Sequence, residues 1–108
     1  MERKEVYKVI DGERDYQDIK WAGTKSNNEP GEGALDRTID EYAAYIQGYA
    51  NELINIVSHT DDRFAKLDAV RKVAALCVAC MESNGARARD LKFDLSLAEQ
   101  RKYLDAKV

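Results

Sequence analysis

Val73-Ala74-Ala75-Leu76-Cys77-Val78-Ala79-Cys80-Met81 is the stretch on which the fold turns. Every position is small or apolar, and no polar side chain marks a wet face. A helix of that character is buried all round. Upstream spacing extends it to a helix from about Asp61 to Ser83, with Phe64, Leu67, Val70, Ala74, Cys77 and Met81 as its principal face,. Three or four helices of this size cannot easily enclose such a rod within one chain. The expectation is a homo-oligomer, a dimer or larger, with this helix near the symmetry axis. Asn84-Gly85 supplies a C-terminal stop,.

Working backwards, Thr38-Ile39-Asp40-Glu41 reads as a capping box that opens another long helix,. Tyr42, Ile46, Tyr49, Leu53 and Ile56 recur at spacings of four and three and make an apolar seam. Ala43, Ala50, Ile54 and Val57 make a second, smaller-residue face, so two neighbours are implied,. Gly48 sits within this helix, where it permits close approach of another helix or a ligand,. Residues 24–36 form a loop around Ser26-Asn27-Asn28-Glu29-Pro30-Gly31-Glu32-Gly33, long for a connector in a bundle,.

The first helix is predicted from about Glu2 to Trp21. Val6, Val9 and Ile10 begin its inner stripe, which continues at helical spacing into Glu13, Gln17, Lys20 and Trp21,. Two readings of that change stand side by side: a helix end leaving the core, or the wall of a pocket. Ser96-Leu97-Ala98-Glu99 is a further capping box, opening a short final helix with Tyr103 and Leu104,. No segment alternates with period two, so no strand is predicted. The fold class is all-α: two long antiparallel helices, an N-terminal helix and a short C-terminal helix, in a bundle completed by oligomerisation. Residues 1–90 form the helical domain and 91–108 a C-terminal extension.

Composition narrows the function classes. Apolar residues are 44% and charged residues 34%, a globular balance,. The longest nearly apolar run is far too short to span a bilayer, and Met1-Glu2-Arg3-Lys4-Glu5 does not open a signal-peptide core,. The expected location is the cytoplasm, or the host cytoplasm for a viral chain, with no membrane partner. A net charge of −3 argues against a duplex nucleic-acid partner held by a general basic face, while leaving room for a local basic pocket,. Cys77 and Cys80 form a C-x-x-C within the apolar helix. With His59 the sole histidine, they read as small buried residues and not as a zinc or redox centre,.

Glu13-Arg14-Asp15-Tyr16-Gln17-Asp18-Ile19-Lys20-Trp21 carries a more specific likeness. An E-R-x-x-Q-D-x-K-W helix, a loop, and then Thr38-Ile39-Asp40-Glu41-Tyr42 resembles small phage-encoded members of the MazG-like all-α nucleotide pyrophosphohydrolase group. The third helix through Glu82 is similar to that group's small-residue helix, and the likeness runs from Val6 to Arg89. It implies an oligomeric bundle that holds a nucleoside phosphate. Active members place E-E-x-x-E on the second helix and E-x-x-D on the third, and these carboxylates hold magnesium. Here the corresponding positions are Gly48, Tyr49 and Glu52, then Ala69 and Lys72. Only Glu52 keeps its carboxylate, so the metal site reads as lost. Asp61, Asp62 and Asp68 lie near the start of the third helix, where capping accounts for them.

The resulting expectation is a phage-type binding protein that captures a nucleotide-derived small molecule without hydrolysing it. It has no catalytic residue, no metal ligand and no cofactor. Lys72 takes the place of a metal ligand and pairs with phosphate directly; Arg14, Lys20 and Lys25 add charge-assisted hydrogen bonds. Trp21, Tyr16, Tyr45 and Tyr49 stack on a base, and Gln17, Asn27, Asn28 and Glu52 complete the candidate site. For Tyr42 and Tyr49, core packing is the favoured reading; for Arg14 and Lys20 the plain alternative is a surface ion pair. By analogy, the logic matches viral sponges that sequester cyclic nucleotide or ADP-ribose immune signals, an anti-defence role. Two other functions stand against it. One is a Mg2+-dependent nucleoside triphosphate pyrophosphohydrolase using Glu52 with Glu41 or Asp68. The other is a protein-interaction scaffold whose contact is the 91–108 extension.

Overall fold

The computed structural model describes residues 1–21, 37–90 and 95–106. Among these the chain forms four helices and no strand: α1 Arg3–Trp21, α2 Ile39–His59, α3 Arg63–Asn84 and α4 Leu97–Ala106. None is long and apolar enough to cross a membrane. The boundaries follow local chemistry. The Thr38 hydroxyl accepts from the Glu41 amide at 3.1 Å, and Glu41 Oε1 accepts from the Thr38 amide at 3.2 Å, so the capping box is complete. Asp62 caps α3 by accepting from the Phe64 amide at 3.0 Å. Gly85 ends α3 at φ +95°, a backbone region that side-chain-bearing residues rarely enter, and its amide donates to Met81 O at 2.7 Å,. Ser96 and Glu99 form the second capping box at the start of α4.

Helix α3 is the hub. Both α1 and α2 pack on it, whereas α1 and α2 make no direct backbone approach to one another, and the backbone of α4 comes close to none of the three. The side of α3 facing α2 carries Ala69, Leu76, Cys80 and Ser83; Tyr42, Ile46 and Tyr49 of α2 meet it in one apolar cluster with Leu76 and Ala79. Tyr42 is fully buried, and its hydroxyl hydrogen-bonds Ser83 Oγ at 3.1 Å. The α2 seam read from the sequence therefore faces inward at this end.

The principal face expected for α3 is placed differently. Phe64, Leu67, Val70 and Met81 are exposed, Phe64 by 75%, and Ala74 and Cys77 are half-buried on that same open side. The buried face is made of the small residues Ala69, Ala75 and Ala79 around Leu76. Small side chains let two helices approach α3 closely, and the bulkier residues are left on its third side. The α1 stripe is corrected in the same way. Val6 and Val9 are exposed, and the buried residues of α1 are Glu13, Arg14 and Gln17. The radius of gyration, 17.2 Å, exceeds the ~13 Å of a compact domain of this length,.

Among the described residues Gly48 serves no close approach: a Cβ built on it, or on Gly12 of α1, meets nothing there within 4 Å. Both glycines lie in helix interiors and exposed. Gly12→Ala and Gly48→Ala should each raise unfolding stability by about 0.5–1 kcal/mol, read from urea midpoints at unchanged slope. A loss of stability at Gly48 would mean that another molecule or copy approaches the helix there.

Candidate functional site

Two ion-paired arginines fix α1 on α3. Arg14 is 3% exposed. Its Nε donates to Glu82 Oε1 at 2.8 Å and its Nη2 to Glu82 Oε2 at 3.0 Å, a two-pronged grip on one carboxylate; Nη2 also reaches Asp18 Oδ1 at 2.9 Å,. The hydrogen bond to Glu82 raises the Arg14 pKa above its ordinary value against the opposing effect of burial, and it holds the Glu82 carboxyl below the usual range. Arg71 of α3 reaches back the other way, donating from Nε to Glu13 Oε1 at 2.6 Å and from Nη1 to Asp68 Oδ1 at 2.6 Å. Gln17 lies between the pairs and donates from Nε2 to the Lys72 carbonyl at 3.4 Å. Among the described residues no buried side-chain polar atom lacks a partner. The polar stretch of the α1 stripe is therefore a docking surface with matched charges.

Because α1 and α2 both lean on α3 without meeting, a cleft of about 220 Å³ opens between them. Glu13, Tyr16, Gln17, Lys20 and Trp21 of α1 line one wall, Tyr49 and Glu52 of α2 the other, and Lys72 of α3 the floor. Seven of the residues singled out from sequence meet here: Tyr16, Gln17, Lys20, Trp21, Tyr49, Glu52 and Lys72. Trp21 and Tyr49 are half-buried, pack on the Tyr42–Leu76–Ala79 cluster and also line the cleft. The Lys20 ammonium lies 5.9 Å from the centre of the Tyr16 ring,. Lys72 is half-buried and forms no ion pair and no side-chain hydrogen bond among the described residues. A lysine that borders a cleft without a counter-ion among the described residues is a ready partner for an anion,.

Other candidates are placed elsewhere. Arg14 is committed to Glu82 and Asp18 and does not line the cleft. Its guanidinium is buried while both partner carboxylates stay at the surface, so the ion pair of its plainer reading is present with only the arginine side withdrawn from water. Tyr45 is 45% exposed and lies under Arg37, whose guanidinium sits 4.9 Å from the ring centre and donates to the phenol oxygen at 2.9 Å. Lys25, Asn27 and Asn28 lie outside the described residues. Glu13 was read only as part of a stripe. Its partner Arg71 was not singled out, although the Asp68–Arg71 spacing of three marks an ion pair on one helix face,.

The cleft does not fit magnesium. Among the described residues no three His, Cys, Asp or Glu side chains gather closely enough to hold a metal ion. Its two carboxylates are Glu13, already held by Arg71, and Glu52, with the Lys72 ammonium on the floor; a hard octahedral cation wants several oxygens and no ammonium. Chemically the cleft offers one unpaired cation on its floor, a second at its wall, three aromatic rings, an amide and a free carboxylate. No family model, curated protein or solved structure matches the chain.

The Arg14–Glu82 pair sets an acid limit on the site. The depressed Glu82 pKa gives stability that is whole above the ordinary glutamate value of ~4.3 and is lost as pH falls through the lower folded-state value,. The melting temperature should therefore drop on acidification below about pH 4. Glu82→Gln should lower the melting temperature at neutral pH and flatten that acid limb. An unchanged acid limb in the variant would remove Glu82 as its cause.

Proposed function

We propose that the chain is a binding protein that captures a nucleotide-derived small molecule in the α1–α2 cleft without hydrolysing it, and that it works as a homo-oligomer. The observation that carries the reading is Lys72, a half-buried residue whose ammonium has no partner among the described residues, standing on the floor of a cleft walled by Tyr16, Trp21 and Tyr49. Phosphate pairs with Lys72 and Lys20. A base lies against the aromatic walls, where stacking contributes ~1–3 kcal/mol per base. Glu52 takes hydroxyl and amino groups. A volume of about 220 Å³ is below the ~300–1,000 Å³ of a complete small-molecule pocket and suits one end of such a ligand,.

The likeness to the MazG-like group supplies the ligand class, and the donor set of the cleft supports capture over metal-assisted cleavage. Sequestration of a cyclic nucleotide or ADP-ribose signal, as a viral sponge would perform it, is the role this chemistry suits. Self-association is supported by the exposed apolar residues of α3.

Binding of a panel of nucleoside phosphates, cyclic dinucleotides and ADP-ribose derivatives, measured by calorimetry with and without EDTA, tests the reading. At least one should bind with an affinity that chelation leaves unchanged and be recovered intact by mass spectrometry. Lys72→Ala should weaken binding about 10- to 100-fold, the worth of one charge-assisted hydrogen bond, while leaving the melting temperature of the free protein unchanged. Magnesium-dependent release of pyrophosphate would overturn the reading in favour of an enzyme; failure of every compound to bind would leave a protein-interaction scaffold.

A further inference from the structure

Viewed down its axis, α3 presents three sectors roughly a third of a turn apart. Arg71, Ala75, Ala79 and Glu82 face α1, as the Glu13–Arg71 and Arg14–Glu82 pairs show. Ala69, Leu76, Cys80 and Ser83 face α2. At 100° per residue, Leu67, Val70, Ala74, Cys77 and Met81 fall together in the remaining sector. Leu67 and Val70 are each 48% exposed and Met81 47%. No charged residue occupies that sector between Leu67 and Met81.

Helical geometry also fixes where the second face of α2 points. Tyr42, Ile46, Tyr49 and Leu53 are directed at α3, and Tyr49 and Glu52 border the cleft. Ala43, Ala50, Ile54 and Val57 lie about a quarter-turn round the helix, on the side away from Glu52. They look in the same direction as the open sector of α3. The two rows form one apolar platform on the back of the α2–α3 layer, opposite the cleft. Ile54 and Val57 are largely exposed on it.

We infer that this platform is covered by the same platform of a second copy of the chain, closing a four-helix layer pair, with each copy's cleft left open on the outside. Three observations select that occupant. The exposed apolar side chains of the platform amount to on the order of 600 Å² per chain, close to the ~800 Å² per partner of a standard interface once flanking atoms are added,. Between Leu67 and Met81 the platform carries no charge, Arg63 and Lys66 lying at its border near the start of α3, so it offers a charged partner little to pair with, whereas an identical apolar surface suits a two-fold contact in which the same patch serves both sides,. It also combines small residues, Ala43, Ala50, Ala74 and Cys77, with large ones, Ile54, Val57, Leu67 and Met81, as interdigitation of two copies requires,.

The inference rests on the self-association reading and adds the surface to it. Sedimentation of the full chain without ligand, between about 1 and 100 µM, gives the assembly state. Wild type should sediment as at least a dimer. Val70→Glu and Ile54→Glu should each shift it to monomer, whereas Ile19→Glu, on the exposed side of α1, should not. A second measurement avoids any core charge. In a Cys80→Ala variant, the rate of Cys77 alkylation should fall several-fold as protein concentration rises through the association range. A wild-type monomer throughout would end both the self-association reading and this surface. An assembly that survives Val70→Glu and Ile54→Glu, with Cys77 alkylated at one rate at all concentrations, would end the surface alone.

Discussion

An arginine withdrawn from water has to bring its counter-charges with it, and that demand organises this molecule. Arg14 reaches its buried position only because Glu82 and Asp18 meet it there. Arg71 and Glu13 repeat the pattern from the opposite helix. Such pairs are directional: they are satisfied in one arrangement and costly in every other. Apolar packing between α1 and α3 would tolerate sliding. These contacts set the angle at which α1 crosses, hence the gap between α1 and α2, hence the cleft.

The same logic explains the contrast between the two sides of α3. Toward α1 the helix offers charge and alanine, toward α2 alanine and one leucine, and its larger apolar residues are left over. The inward-facing apolar set, Tyr42, Leu76 and the three alanines, is modest for a chain of 108 residues. Short domains bury a small share of their surface, and stability then has to come from elsewhere. The hub helix uses two of its three sides internally and leaves the larger apolar residues of the third exposed.

Much of the helical layout was legible in the sequence because its signals are local. A Thr-x-x-Glu pair, an Asp before an apolar run and a glycine after one each act within a turn, and each ends or begins a helix where expected. The α2 seam was legible for the same reason, since its partners recur at one spacing. The face of α3 that turns inward was not. When every side of a helix is apolar, periodicity carries no direction, and residue size misled: bulk suggested the core, but close approach selected alanine. Within the described residues, Gln17, Lys20, Trp21, Tyr49, Glu52 and Lys72 line one cleft. Arg14 does not join them. Whether a cation serves a ligand or an ion pair depends on a carboxylate 68 residues away, which no local pattern reveals.

One further property follows from the placement of Trp21. It is the chain's single tryptophan, and it both packs on the core cluster and lines the cleft. The fluorescence of an indole depends on how much water surrounds it. Any molecule that enters displaces water from that ring, so the emission of the unlabelled protein tracks occupancy directly. The residue that walls the cleft is also its optical gauge.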